Sequence, residues 1–385
     1  MIIGIDASNI RGGGGLVHLT ELLHNADPLK NNFSYIVVWA CQSTLDEICD
    51  KTWIIKKSNR VFEKGFVIRM LWQWLFMGKQ VQREKCSILF IPGGSFVTSF
   101  RPIVTMSQNM LPFEWEEIKR YGLSLFFFKL LVLRLISAYS FRKANGIIFL
   151  TKNAKDNIIS KTKGNYSCTA IVSHGIGDRF YCPPRKQNNI RIYCTDNPIK
   201  LLYISPLEPY KHHDNVVKAV SLLRNKGLPL VLDMFGYPSR KFVKNRLCKL
   251  MNKYDPESNY LKYHGIIDNK EIHKIYARAD ISIFASSCEN LPITLIESMA
   301  AGLPIVSSNM LPMRDILGAN CIYFDPLDPN SIAMSLKEMI ISDERRTEHS
   351  LGSFELSLDY SWEKCAKLTI SFINKVADKY RHDNL

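Results

Sequence analysis

The sequence lacks the residue patterns of a metal site and of a secreted, disulfide-bonded protein. None of its ten cysteines forms a Cys-x-x-Cys pair, and it contains neither an Asp-x-Asp motif nor His and carboxylate residues at metal-ligand spacing. Scattered cysteines in a chain of 385 residues indicate reduced core residues and hence a cytoplasmic protein. The amino terminus reads as a strand at residues 1–6 and shows no signal-peptide pattern. We therefore expect a cytoplasmic protein that holds no metal.

Length and hydrophobic content predict two α/β domains. A chain of 385 residues is too long for one ordinary domain of this class, and 46% hydrophobic residues suffice for two cores. Strand patterns alternate with helical patterns in both halves, as parallel sheets wound by helices require. The predicted strands are 1–6, 33–39, 88–91, 103–106, 146–150 and 170–173 in the first half, and 200–204, 228–235, 261–263, 281–285, 304–307 and 321–324 in the second.

A polar stretch that contains several prolines separates the two series of strands. We predict an N-terminal Rossmann-like domain at 1–185, a linker at 186–199 and a C-terminal Rossmann-like domain at 200–361. The helical pattern at 362–385 fits either domain, including a return to the first. Two doubly wound domains of this kind are expected to face each other across a cleft, because ligands of such sheets bind at the carboxyl ends of the strands.

The net charge of +14 lies almost entirely in the first half. Residues 1–190 carry 25 Lys and Arg against 13 Asp and Glu, or +12, whereas residues 191–385 carry 25 against 23, or +2. Nucleic acid, an anionic membrane surface and an anionic substrate are the partners that such an excess can serve. Because the sequence contains no nucleic-acid recognition motif, we expect no nucleic-acid partner.

Two apolar segments of the basic half, 66–79 and 119–135, carry interspersed Lys and Arg. Lys129 and Arg134 interrupt the second segment and make it unsuitable as a membrane span. Basic and aromatic residues together are typical of a helix that lies on an anionic membrane, although an amphipathic helix packed on a sheet has the same pattern. Together with the excess of positive charge, the pattern favours peripheral association with a membrane.

The segment 281–307 carries the pattern that is most informative about function. A buried strand is followed by a polar loop, and Pro292 stands where the first turn of a helix would begin. The helix is predicted to end at Gly302, before the next strand. Amide groups near Ile293, at the start of the helix, would form an anion site.

Two glutamates flank this predicted helix start. Glu289 precedes the helix and Glu297 lies about one turn inside it. Carboxylates in these places can accept hydrogen bonds from sugar hydroxyls beside a bound phosphate. A helix-capping acid and a solvated acid produce the same pattern, so charge pattern alone leaves both interpretations open.

The same segment resembles the signature of the retaining glycosyltransferases of family four, which have the GT-B fold. That signature is a Glu, seven residues and a second Glu, with a Pro three positions after the first Glu and a Gly-x-Pro close behind. Its parts in this sequence are Glu289, Pro292, Glu297, Gly302 and Pro304. The resemblance implies that Glu297 binds the ribose hydroxyls of a nucleotide and that Glu289 holds hydroxyls of the donor sugar.

The resemblance also assigns the residues between the two glutamates to the donor site. It implies that the backbone of Leu291, Pro292 and Ile293 lies close to the donor. Family members usually carry Gly or another small residue where this chain has Asn290, a departure that would tune the choice of sugar.

A glycine loop near the amino terminus matches a second part of the family pattern. Four glycines, Gly12–Gly15, follow the first strand, and a helix is predicted to begin near Leu16. Such a loop lets the backbone approach a ligand closely, but it is not a Gly-x-Gly-x-x-Gly fingerprint, and a flexible turn has the same composition. The resemblance implies that Gly13, Gly14 and Gly15 lie in the region of the donor phosphate and the acceptor.

The segment after the first strand of the second half matches a third part of the pattern. The family has Gly-Arg there and a Lys five residues beyond the Arg, and the two cations clamp a diphosphate. Ser205 and Lys211 match the place of the Gly and the Lys, but Pro206 stands where the Arg is expected. The sequence leaves open whether Arg179, His212 or His213 compensates, and a lysine in this place can also be a solvated surface residue.

The segment 103–113 matches the place where many family members carry a histidine that contacts the donor sugar. This chain has Gln108 and Asn109 instead, which offer amide groups but cannot titrate near neutral pH. We take Asn109 as a catalytic candidate beside Glu289 and Lys211, with Glu114 as a weaker one. Ordinary polar turn residues remain the alternative interpretation.

The resemblance implies an enzyme, a hexosyl- or related glycosyltransferase that retains the anomeric configuration and needs neither a metal nor a cofactor. Its substrates would be a nucleoside-diphosphate sugar and a saccharide acceptor, which we expect to be linked to a lipid diphosphate. Its role would be the synthesis of O-antigen, lipopolysaccharide or another surface polysaccharide at the inner face of the cell membrane. The alternatives are a nucleotide-sugar epimerase or a phosphorylase of the same fold, and a non-catalytic protein that binds nucleotide sugars.

Overall fold

The computed structural model describes residues 1–164, 166 and 168–384, and within them the chain divides into two compact units. The first unit comprises Met1–Ile118, Gly122–Gly175 and Tyr360–Leu385. The second unit comprises Lys119–Tyr121 and Ile176–Asp359. Each unit contains one parallel sheet, and the predicted fold class of two Rossmann-like domains is therefore confirmed.

The boundary between the units lies earlier in the chain than the predicted residue 185. The segment after Gly175 packs on the second unit, where the Cys182 amide donates to the Ala300 carbonyl oxygen at 2.9 Å. The predicted linker 186–199 is also part of that unit, because the buried Arg346 donates a hydrogen bond to the carbonyl oxygen of Asn188. Apolar residues of the same stretch pack on the core, and the stretch is not a separate linker.

Runs of β-branched and aromatic residues form the sheet of the first unit, and its five central strands are almost completely buried. Its strands are β1 (Ile2–Asp6), β2 (Tyr35–Trp39), β3 (Ile54–Lys57), β4 (Ile88–Ile91), β5 (Ile103–Ser107), β6 (Gly146–Phe149) and β7 (Thr169–Ile171). Within the described residues their order is β3-β2-β1-β4-β5-β6-β7, and every pairing is parallel. Strand β3 was not predicted from the sequence: it lies at the sheet edge, is only half-buried and ends in two lysines.

The helices of the first part of the chain are α1 (Gly13–Asn25), α2 (Gln42–Asp46), α3 (Phe66–Trp72), α4 (Gly78–Arg83), α5 (Trp115–Lys119), α6 (Leu125–Lys143) and α7 (Lys152–Thr162). A π-helix, Gln73–Met77, joins α3 to α4. The predicted apolar segment 119–135 is not one helix. Gly122 has φ +56°, and the Ser124 hydroxyl accepts a hydrogen bond from the Phe127 amide at 3.3 Å, so α6 begins only after this cap.

The second unit repeats the plan with strands β8 (Ile199–Ile204), β9 (Leu230–Phe235), β10 (Leu261–Gly265), β11 (Ile281–Phe284), β12 (Ile305–Ser308) and β13 (Ile322–Phe324). Their order in the part of the chain that is described is β10-β9-β8-β11-β12-β13, again with parallel pairings. The chain leaves β8 to one side for β9 and returns on the other side as β11. Ligands of such sheets bind at the carboxyl ends of the two strands where the order reverses, which here are β8 and β11.

The remaining helices are α8 (His213–Asn225), α9 (Lys241–Tyr254), α10 (Ile272–Tyr276), α11 (Ile293–Ala300), α12 (Met313–Leu317), α13 (Pro329–Ile341), α14 (Asp343–Ser357) and α15 (Trp362–Asp383). Helix α15 belongs to the first unit, where it packs against α1 and lies next to β4 and β6. A Cβ atom on Gly146 would lie 2.7 Å from Cγ2 of Val376, so this approach requires glycine. Within residues 1–164, 166 and 168–384, no helix has both the length and the apolar character needed to cross a bilayer.

Candidate functional site

The carboxyl ends of β8 and β11 bring together two of the predicted catalytic residues, Lys211 and Glu289. Lys211 ends a short 3-10 helix after β8, and Glu289 lies in the loop after β11. The Lys211 ammonium forms an ion pair with a carboxylate oxygen of Glu289, and their side chains are only 7% and 13% exposed. Lys211 is therefore not the solvated surface lysine that the sequence allowed as an alternative.

The surroundings of Lys211 are aromatic and hold its backbone in place. Its Nζ atom lies 5.4 Å from the ring centre of Tyr210 and 5.3 Å from that of Phe284, a distance at which ring and cation attract each other. The Tyr203 hydroxyl donates a hydrogen bond to the Lys211 carbonyl oxygen at 2.6 Å. Because a buried ion pair that loses one partner leaves an uncompensated charge, each of Lys211 and Glu289 constrains the other.

Helix α11 begins beside this ion pair, as the sequence predicts. Pro292 occupies the N-cap position, and the helix begins at Ile293. The residues before it, Asn290 and Leu291, are buried together with Pro292. Since proline has no side-chain oxygen, it cannot cap the amide groups of the first turn, and such groups are suited to hold an anion.

Glu297 lies in the second turn of α11 and is 6% exposed. It accepts a hydrogen bond from the Tyr276 hydroxyl at 3.0 Å. Burial raises the pKa of Glu297 to about 7, while the hydrogen bond from Tyr276 and the positive charge of Arg179 oppose the rise. Glu297 is therefore not the solvated acid that charge pattern alone allowed, and its carboxyl group titrates near neutral pH.

The Ser205 hydroxyl forms a hydrogen bond with Nε2 of His213 at 3.1 Å, and both residues are buried. Burial lowers the pKa of His213 to about 3 and that of His212 to about 4, so both rings are neutral at pH 7. Neither histidine can supply the second cation that is missing at Pro206. Arg179, the third candidate for this role, acts electrostatically on Glu297 through its positive charge.

The glycine loop of the first unit differs from the prediction in one respect. Helix α1 begins at Gly13 and not near Leu16, so Gly13, Gly14 and Gly15 form its first turn. Gly13 has φ +63°, a conformation that is strained for other residues, and the preceding Gly12 is the N-cap. The first two of the predicted glycines are exposed.

Gly15 and Asn109 line one cavity of about 210 Å³ at the carboxyl ends of β1, β4 and β5. The Asn109 side chain is exposed, and its Oδ1 atom accepts a hydrogen bond from the Leu111 amide at 3.0 Å. Glu114 is elsewhere: its carboxylate lies 2.9 Å from Nζ of Lys161 and accepts a hydrogen bond from Asn157 of α7. The weaker candidate Glu114 is thus engaged in an ion pair and does not line this cavity.

Sequence reasoning missed Tyr276, whose hydroxyl contacts Glu297 from α10. A tyrosine in a short helix carries no motif, and its relation to Glu297 arises only from the packing of α10 beside α11. Arg179 was considered only as a possible replacement cation, since no spacing rule links it to Glu297.

The fold is that of GT-B glycosyltransferases. Sucrose-phosphate synthase from Thermosynechococcus elongatus superposes with a TM-score of 0.75 at 14% identity, covering 99% of this chain and 98% of that one. WaaG, a glycosyltransferase involved in lipopolysaccharide biosynthesis, superposes with a TM-score of 0.70 at 11% identity, covering 97% of this chain and 99% of that one. HepE from Anabaena, solved with UDP and glucose, superposes with a TM-score of 0.67 at 14% identity, covering 99% of this chain and 100% of that one.

The family model of glycosyl transferases group 1 matches residues 186–351, which lie in the second unit. The match includes Lys211, Glu289 and Glu297, and it confirms the family resemblance drawn from their motifs. O-antigen chain mannosyltransferase B of Escherichia coli is 26% identical over 44% of this chain and 44% of its own length. An uncharacterised glycosyltransferase of Methanocaldococcus jannaschii is 30% identical over 47% of this chain and 46% of its own length. The chain spans less than half the length of these two curated relatives.

Proposed function

We propose that this protein is a retaining glycosyltransferase that moves a sugar from a nucleoside diphosphate to a hydroxyl group of a saccharide acceptor. The observation that carries the proposal is the buried pair of Lys211 and Glu289 beside the start of α11, inside the family domain. A buried cation, a carboxylate and a helix start at the strand reversal are the groups that a sugar diphosphate needs.

The diphosphate would be held by Lys211 and by the amide groups at the start of α11. Negative charge accumulates on the leaving diphosphate as the bond to the sugar breaks, and a fixed cation and helix start stabilise it in a water-poor site. We propose that these groups act without a metal ion. Among the described residues no three or more His, Cys, Asp and Glu side chains form a group that could hold one.

Lys211 must change partner for this role, because its ammonium is paired with Glu289 in the structure. When a diphosphate takes over Lys211, the Glu289 carboxylate becomes available to accept hydrogen bonds from the donor sugar. Glu297 would accept hydrogen bonds from the ribose in the same way, beside Tyr276. The backbone from Asn290 to Ile293 lies between the two carboxylates in sequence and would line the donor, with Ser205 at the end of β8.

The acceptor would bind to the first unit, in the cavity that Gly15, Gln108 and Asn109 help to line. Neither amide side chain can remove a proton near neutral pH. We therefore assign the acceptor proton to the leaving phosphate, with attack from the same face that the diphosphate leaves and hence with retention. Positioning by Asn109 would contribute through alignment of the acceptor hydroxyl.

The biological setting that we propose is the synthesis of a surface polysaccharide, with a lipid-diphosphate-linked acceptor at the inner face of the membrane. Two observations support it. The relatives include an O-antigen mannosyltransferase, and a structural neighbour takes part in lipopolysaccharide biosynthesis. The first half of the chain carries nearly all of the positive charge, which suits an anionic acceptor and an anionic membrane.

A thermal-shift screen against UDP-, GDP- and CDP-sugars tests the donor site, because a ligand of the folded state raises the melting temperature by mass action. The donor found should then release its nucleotide only when an acceptor is added. An altered sugar without an acceptor would indicate an epimerase, and dependence on inorganic phosphate a phosphorylase. Binding without any turnover would indicate a non-catalytic protein.

A further inference from the structure

The region around α3 exposes large apolar side chains along one side. They are Val67, Ile68, Leu71, Trp74 and Leu75, which are 50% to 67% exposed. Their spacing of three and four residues places them on one helical face. A contiguous apolar face of this kind, rather than a single exposed residue, marks an interaction surface.

Helix α6 exposes a second apolar stripe. Its members recur every three or four residues and are 49% to 91% exposed: Leu125, Phe128, Val132, Leu135 and Tyr139. The opposite side of α6 is the one that packs on the first unit, since Leu130, Ser137 and Phe141 are buried. The exposed stripe is therefore not needed to attach α6 to the sheet.

The chain segment 95–97 lies between the two regions and joins them. The Ser95 and Ser137 hydroxyl oxygens are 2.9 Å apart, and the Phe96 amide donates to the Ser140 hydroxyl at 2.9 Å. On the other side, the Val97 amide donates to Oε1 of Gln73, in the π-helix, at 3.0 Å. The two helical regions are thus neighbours on the first unit.

The charges on these helices all have one sign. The stretches 66–83 and 125–143 contain seven Lys and Arg and no Asp or Glu. They are Arg69, Lys79, Arg83, Lys129, Arg134, Arg142 and Lys143. A surface that combines exposed apolar groups with an excess of cations fits a partner that offers both hydrocarbon and negative charge.

We propose that the exposed faces of 66–77 and 125–139, here called the apolar surface, bind directly to an anionic lipid bilayer. The apolar side chains would enter the region between headgroups and acyl chains, and the flanking cations would contact lipid phosphates. A second copy of the chain is a poorer occupant, because a two-fold contact would bring like charges from both copies together. An anionic bilayer neutralises the same charges.

The apolar surface also lies close to the cavity assigned to the acceptor. Leu133, Ser137 and Phe141, from the inner side of α6, line that cavity. Docking of α6 on a bilayer would therefore hold the cavity near the level of the lipid headgroups, where a lipid-linked acceptor presents its phosphates and first sugars. This last step rests on the proposed function, whereas binding to the bilayer does not.

Vesicle flotation tests the inference with the full chain and two variants. Leu71→Ser with Trp74→Ser removes side chains from the α3 region, and Leu125→Ser with Leu135→Ser removes them from α6. All four side chains are at least half exposed, so the fold should persist. Binding to vesicles of phosphatidylglycerol and phosphatidylcholine should weaken at least about tenfold in each variant, because each loses two membrane-inserting groups.

The matched control replaces equally exposed apolar residues of the second unit, Ile266→Ser with Met334→Ser, which are 76% and 71% exposed. This control should bind vesicles like the parent chain. The parent chain should bind pure phosphatidylcholine vesicles far more weakly than anionic ones, and binding to the anionic vesicles should fall as salt is added.

Three results would overturn the inference: equal binding to neutral and anionic vesicles, surface variants that bind like the parent, or a dimer that the surface variants convert to monomers without any vesicle binding. Glycosyl transfer to a water-soluble acceptor separates this inference from the proposed function. Vesicle binding without transfer would contradict only the function, and normal transfer without vesicle binding would contradict only the surface.

Discussion

The two units have similar parallel-sheet topologies, but they place different residues at the point where the strand order reverses. In the second unit, the ends of β8 and β11 hold a buried ion pair, Lys211 with Glu289. In the first unit, the ends of β1 and β4 adjoin a glycine turn and a cavity lined mainly by uncharged groups. Under the proposed function, the same scaffold holds the donor in one unit and the acceptor in the other, and the side chains at the ends of the strands make the difference.

The surfaces of the two halves of the chain differ as strongly as their sites. The half up to residue 190 has a net charge of +12, and the half after it has +2. Seven cations of the first half lie on helices that also expose apolar side chains, whereas Lys211 of the second unit is buried. In the functions that we propose, the charge of the first half attracts an anionic membrane, and the buried cation of the second unit holds one diphosphate.

The largest expected effect comes from removing the buried cation. Lys211→Met should lower kcat/KM by at least about 100-fold, because one fixed group that stabilises developing negative charge is typically worth that much or more. The variant should also be less stable by about 3 kcal/mol, since Glu289 is left buried without its partner. Initial-rate kinetics and urea unfolding measure the two losses.

The double variant Lys211→Met with Glu289→Gln separates these two effects. It should regain most of the lost stability, because no unpaired charge remains, but it should stay inactive. Lys249→Met on the exposed side of α9 and Lys129→Met on α6 are the controls, and both should keep full activity toward soluble substrates. Equal losses of this activity in the Lys129→Met and Lys211→Met variants would contradict the proposal that only the second unit binds the diphosphate.

The second prediction concerns Glu297, whose pKa burial raises from 4.5 to about 7. A raised folded-state pKa gives stability that is fully present below pH 4.5 and is lost as the pH rises through 7. Relative to Glu297→Gln, the parent chain should therefore lose about 3 kcal/mol of unfolding free energy between pH 4.5 and pH 8. Nucleotide binding should show the opposite trend, because the ionised carboxylate is the better acceptor for ribose hydroxyls.

Urea unfolding and nucleotide titrations from pH 4.5 to pH 8 test this prediction. Glu257→Gln, in an exposed loop of the same unit, is the control and should follow the parent chain in both measurements. If the Glu297→Gln variant and the parent showed the same pH profile of nucleotide binding, Glu297 would not be the ribose ligand.

The sequence was sufficient for the features that depend on neighbouring residues. The strand patterns gave both sheets apart from β3, and the spacing of Glu289, Pro292 and Gly302 gave the start and end of α11 within a few residues. The strands and the helix depend on local periodicity, which burial of one face imposes directly on the chain. Lys211 was found differently, because the family motif places a lysine at that distance after β8.

The features that could not be predicted from the sequence depend on tertiary packing. Tyr276 and Glu297 are 21 residues apart, and only the placement of α10 brings the hydroxyl to the carboxylate. The stretch 186–199 looks like a linker by composition, yet Arg346 ties it to the second unit. The stripe on α6 has the spacing of a buried face, and only the structure shows that this face is exposed.

The smallest expected effect concerns the first unit and the dependence of its stability on pH through His18. His18 is fully buried there, its ring centre lies 4.8 Å from that of His174, and burial lowers the pKa of His18 to about 4. Because an unfolded histidine takes up a proton below pH 6.5 and the folded one does so only near pH 4, stability is lost as the pH falls through this window. The loss of unfolding free energy due to His18 should be about 2 kcal/mol between pH 7 and pH 5.

His18→Phe should remove that part of the pH dependence, whereas His24→Phe, on the exposed side of α1, should leave it unchanged. Urea unfolding at the two pH values measures the difference, and an unchanged slope in His18→Phe would show that the acid sensitivity arises at the other buried histidines, His174, His212 and His213.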